Sequence, residues 1–70
     1  MKRYFEFVDG SSAKFWEITT SDKTATVRFG RIGANGQTQT KTLADADAAK
    51  KHAEKLIAEK TAKGYLEKSP

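Results

Sequence analysis

Cysteine is absent from this 70-residue chain, and its absence excludes disulfides and thiolate metal sites. A chain this short forms one small domain that buries only about 60% of the surface of the unfolded chain. Packing of a few large side chains must therefore stabilise the fold. A chain without cysteine also fits a reducing compartment.

Long apolar runs are missing as well. No segment approaches the roughly 20 apolar residues that a membrane-spanning helix requires. The first ten residues, MKRYFEFVDG, begin with basic side chains but lack the apolar stretch of a secretory signal peptide. We therefore expect a soluble, cytoplasmic protein with no membrane partner.

Residues suited to catalysis are few. The single histidine, His52, falls in a helical pattern, and the four serines fall in turns or near the C-terminus. Neither arrangement places a nucleophile beside a base, and no ligands have metal-binding spacing. The glycines of GRIGANG, residues 30–36, lack the spacing of a phosphate loop. We predict no enzymatic activity, metal, cofactor or small-molecule substrate.

Cationic side chains are in excess, with 13 lysines and arginines against 9 aspartates and glutamates and a formal net charge of +4. A basic surface attracts polyanions and raises their encounter rate, although such a charge also serves solubility. The charge alone therefore admits a nucleic-acid partner without requiring one.

The composition changes near residue 43, from aromatics, threonine and glycine to alanine, lysine and glutamate. This change predicts one α+β domain over residues 1–70, with strands first and a helix second. Short turns, including the hairpin signal Asn35-Gly36, favour an antiparallel meander of four to five strands. The predicted strands cover residues 3–8, 13–20, 24–32 and 37–43. The last of these alternates polar residues and is expected at a sheet edge, and residues 68–70 are expected to fray.

A long helix is predicted over about residues 45–63. Asp45 is a suitable N-cap, and Gly64 suits the left-handed position after the helix. An apolar stripe should pack across one face of the sheet, with Leu56 and Ile57 as the main anchors. The stripe consists of Ala49, Ala53, Leu56 and Ile57.

The third predicted strand carries a candidate nucleic-acid-binding surface. Phe29 and Arg31 share one face of a regular strand and lie roughly 6.5–7 Å apart along it. A ring and a guanidinium at this spacing can contact a sugar or base and the adjacent phosphate. Gly30 between them would allow close approach of another backbone or of a ligand.

Arg28 and Lys41 flank the same hairpin and are further candidates for contact with nucleic acid. The alternative is structural: Val27 and Phe29 point into the core, and Arg31 lies at its rim. Alternation along the strand does not decide between the two.

Three segments in order resemble the WGR domain, named for a Trp-Gly-Arg motif. The motif is present here as Phe29-Gly30-Arg31, with phenylalanine in place of tryptophan. It follows KFWEI (residues 14–18) and precedes KLIAEKTAKGY (residues 55–65). The resemblance covers residues 3–67.

This resemblance implies an antiparallel sheet with one helix across it, and no catalysis. WGR domains are found in poly(ADP-ribose) polymerases and in bacterial proteins, alone or fused to other domains. In the polymerases the motif aromatic lies against the sugar at a DNA strand end, and its arginine contacts DNA and neighbouring domains. Phe29 and Arg31 would take these roles, and DNA is the implied partner. The alternative is a protein-interaction module that uses an exposed aromatic patch or the open fourth strand.

Overall fold

Alternating side chains and tight turns build one antiparallel sheet, and the alanine-rich segment builds one helix. In the computed structural model, which describes residues 1–68, the elements in chain order are β1 (Lys2–Asp9), β2 (Ser12–Ser21), β3 (Thr24–Arg31), β4 (Gln37–Thr42), α1 (Ala46–Ala62) and β5 (Leu66–Lys68). The strands are ordered β4-β3-β2-β1-β5. The α+β class is confirmed, and β4 lies at an edge as predicted.

The fifth strand corrects the predicted tail. Lys68 pairs with Tyr4 of β1, so residue 68 belongs to the sheet, and residues 69–70 lie outside the described residues. Arg3 donates two hydrogen bonds to the Glu67 carboxylate, at 2.8 and 2.6 Å. These contacts link residues 64 positions apart, and local sequence patterns cannot report them.

Low pH should destabilise the pairing of β5 with β1. The hydrogen bonds from Arg3 lower the pKa of Glu67 below its ordinary value of 4.5. The stabilisation is therefore present above pH 4.5 and is lost as the pH falls through the lower folded-state pKa. We expect the amides of β5 to exchange faster at about pH 3 than at about pH 6, after correction for the intrinsic rates. A Glu67→Gln variant should show fast exchange at both values, and the β3 amides serve as the internal control. Unchanged β5 exchange would contradict the role of this ion pair.

The core lies between α1 and one face of the sheet. Phe5 and Ile18 are fully buried, and the rings of Phe5 and Trp16 lie 5.6 Å apart. Ala49 and Ala53 of α1 are also fully buried; their small side chains let the helix lie close to β2 and β3. Of the two predicted anchors, Ile57 is buried, whereas Leu56 is half-buried at the side of the helix.

Both predicted helix ends are confirmed. The Asp45 side chain accepts a hydrogen bond from the Ala48 N–H at 2.8 Å, and Gly64 has a φ of +105°. The turn at Gly64 returns the chain so that the ring of Tyr65 lies 5.3 Å from the ring of Phe7. The end of α1 thereby places Tyr65 beside the candidate site.

Candidate nucleic-acid interface

The pairing of β2 with β3 places the two motif side chains on the helix side of the sheet. Phe29 is opposite Trp16, and Arg31 is opposite Lys14. Directly opposed residues share a face, and Trp16 packs under the helix. The sequence prediction that Phe29 and Arg31 share a face therefore agrees with the register. Lys14 adds a second cation that the sequence reasoning missed.

A depression of about 330 Å³ lies beside Phe29, Arg31 and Lys14. It is here called the basic hollow. It is lined by two cations, Lys14 and Arg31, by two aromatic residues, Phe29 and Tyr65, and by Phe15 and Gly30 of the strands, which alternate to the opposite face of the sheet. Lys14 and Arg31 are exposed, and neither forms an ion pair among residues 1–68. Both cations are therefore available to an anionic ligand.

Lys60 of α1 adds a third cation next to the basic hollow. Its Nζ lies 5.4 Å from the ring centroid of Tyr65 and 5.8 Å from that of Trp16. Burial lowers the pKa of Lys60, and repulsion from Lys63 and Lys14 lowers it further. A ligand anion near these groups would offset the repulsion. The sequence feature that could have identified Lys60 is its position three residues after Ile57, which places it on the same side of the helix.

Phe29 satisfies parts of both sequence interpretations. Its half-buried side chain packs against the core cluster and also lines the basic hollow. The helix therefore covers part of the ring without sealing it. Contact between Phe29 and nucleic acid stays a prediction.

Arg28 and Gly30 face the opposite side of the sheet. The Arg28 guanidinium lies 4.5 Å from the ring centroid of Phe15, 3.4 Å from the Glu17 carboxylate and 2.9 Å from the Asn35 carbonyl oxygen. Arg28 thus supports the turn between β3 and β4, and a role in nucleic-acid binding stays a prediction.

The backbone of Gly36 occupies the space beside Gly30 within the β3–β4 hairpin. A Cβ at this position would lie only 2.8 Å from the Cα of Gly36, so the close approach is made by the protein's own backbone. Any side chain here would push β3 and the following turn apart.

Lys41 lies in a second depression, here called the helix–strand groove. It has a volume of about 540 Å³ and is lined by Trp16, Ala25, Val27, Phe29, Gln39, Thr40, Lys41, His52 and Leu56. Lys41 is opposite Ala25 of β3. Ala25 lies four residues before Phe29, which corresponds to roughly 13 Å along the strand. The structure does not bring Lys41 to the basic hollow, and its nucleic-acid contact stays a prediction.

No group of three or more histidine, aspartate or glutamate side chains within residues 1–68 could hold a metal ion. In the same part of the chain, no helix is long and apolar enough to cross a membrane.

The fold is a small α+β domain whose half-covered sheet carries a cation-lined hollow. The chain belongs to the WGR domain family, whose family model matches residues 1–70. WGR domains in general bind nucleic acid.

Relatives of this chain are found in larger proteins. The proteins YehF and YfeS of Escherichia coli strain K12 are each 40% identical to it over 67 residues, 96% of this chain. A crystal structure of a Bacteroides fragilis protein is 49% identical, covers 99% of this chain and has a TM-score of 0.95. The chain spans 24% of YehF, 28% of YfeS and 20% of the B. fragilis chain.

Proposed function

We propose that this domain binds DNA without catalysis, through the basic hollow. Arg31, Lys14 and Lys60 contact phosphates, and the rings of Phe29 and Tyr65 contact a sugar or base. The observation that carries the proposal is the pair of cations Lys14 and Arg31, which form no ion pair within residues 1–68. They lie opposite each other on β2 and β3, beside the accessible ring of Phe29.

The size of the basic hollow favours a strand end as the ligand. At about 330 Å³ it lies at the small end of ligand sites, which range over about 300–1,000 Å³. Such a depression accommodates one terminal or unpaired nucleotide better than a continuous duplex. Phenylalanine also offers less stacking area than the tryptophan of the motif, so phosphate contacts should contribute more of the affinity.

Binding should respond steeply to salt. Three phosphate contacts predict an affinity loss of about 40-fold between roughly 50 and 200 mM salt. The test is a titration of blunt, nicked, overhanging and single-stranded DNA, and of single-stranded RNA, at both concentrations, monitored by fluorescence anisotropy. Ends and overhangs should bind best. An affinity that does not depend on salt would contradict the proposal, and tighter binding of single-stranded RNA would contradict the choice of DNA.

A Phe29→Leu variant should separate stacking from charge. Leucine keeps an apolar side chain against the core but removes the flat ring, and we expect DNA binding to weaken about 5- to 10-fold. The salt dependence should not change, because every cation is retained. The matched control is Tyr4→Leu, which removes a half-buried ring from the opposite face. Normal DNA binding by a stable Phe29→Leu protein would contradict the stacking role.

A further inference from the structure

The edge of the sheet at β4 offers a second interaction surface. β4 pairs with β3 on one side, and no strand within residues 1–68 covers its other side. All six of its residues are exposed. An open edge presents backbone N–H and C=O groups to an additional strand.

The helix–strand groove lies beside this edge. Val27 and Phe29 form its apolar floor, and Leu56 of α1 forms one wall. On β4, Gln37, Gln39 and Lys41 share the face of the groove, because their β3 partners are Phe29, Val27 and Ala25. A strand added at β4 would direct alternate side chains toward the same groove.

Within residues 1–68, the lining of the helix–strand groove contains basic side chains but no acidic ones. Lys41 and His52 line it, and no aspartate or glutamate is among its lining residues. A second copy of this chain, with its net charge of +4, is a poor match because it would set like charges together. An acidic segment complements the groove.

We propose that β4 binds an extended acidic segment of a partner protein as a sixth strand. The segment hydrogen-bonds along Gln37–Thr42, inserts two apolar side chains over Val27 and Phe29, and pairs a carboxylate with Lys41. Strand addition combines backbone hydrogen bonds, which supply affinity, with side-chain pockets, which supply specificity. Nucleic acid lacks the alternating backbone donors and acceptors that this edge requires.

The probes are two end-capped heptapeptides, Thr-Ile-Thr-Ile-Thr-Glu-Thr and the reversed sequence, which cover both strand directions. Each is titrated to about 1 mM, with NMR shifts and amide exchange as readouts. One of them should bind saturably and slow exchange along β4. Replacing its glutamate by lysine should weaken binding roughly fivefold.

Two variants of the protein localise the contact. Gln39→Glu puts a negative charge in the groove and should weaken binding of the peptide about fivefold. Thr38 is opposite Arg28, so Thr38→Glu puts the same charge on the opposite face of β4. This variant should change peptide binding less than about twofold. The proposal is overturned if neither peptide saturates, or if binding leaves β4 exchange unchanged. Protection of β4 by a DNA duplex and not by the peptides would assign the groove to nucleic acid and also overturn it.

Discussion

Replacing Lys14 and Arg31 together by alanine is expected to weaken DNA binding about 60-fold at about 0.1 M salt. Each phosphate contact contributes about 0.9 logarithmic units of affinity at that salt concentration. The slope of log affinity against log salt should fall by about 2. The unfolding free energy should hardly change, because both side chains are exposed and unpaired within residues 1–68.

The matched control replaces Lys50 and Lys51, two exposed lysines of α1, by alanine. It removes the same charge from outside the basic hollow, so it should lower affinity less than about threefold through the general field. Anisotropy titrations at several salt concentrations and urea melts measure both quantities. Equal losses in the two double variants would show that net charge, and not the basic hollow, binds DNA.

Replacing Phe5 by alanine is expected to remove a large part of the stability of the domain. Phe5 is fully buried beneath α1, and truncating such a ring costs about 3–5 kcal/mol. Proteins are stable by about 0.05–0.15 kcal/mol per residue, so a chain of 70 residues has about 3.5–10 kcal/mol in total. Urea denaturation followed by circular dichroism should show an unfolding midpoint at a much lower urea concentration.

Val8 on the same strand provides the control for this experiment. It is 68% exposed and lies on the opposite face, so Val8→Ala should change the unfolding free energy by less than about 0.5 kcal/mol. Similar losses for Phe5→Ala and Val8→Ala would mean that the core is not where the structure places it.

The candidate site could be predicted only in part from the sequence. Strand alternation is local, and it correctly placed Phe29 and Arg31 on one face. Lys14 comes from another strand and Lys60 from the helix, so only the register of β2 with β3 and the packing of α1 bring them near the motif. The same register gives Arg28 its contact with Glu17, which the charge of the hairpin did not suggest.

The sequence by itself determined the α+β class, the first four strands, the two ends of α1 and the edge position of β4. These follow from periodicity, capping and turn chemistry, which act between residues close in the chain. Only the tertiary structure decided the fifth strand, the partial burial of Phe29 and the grouping of cations at the basic hollow. Each depends on contacts between residues far apart in the chain, whose geometry no local pattern contains.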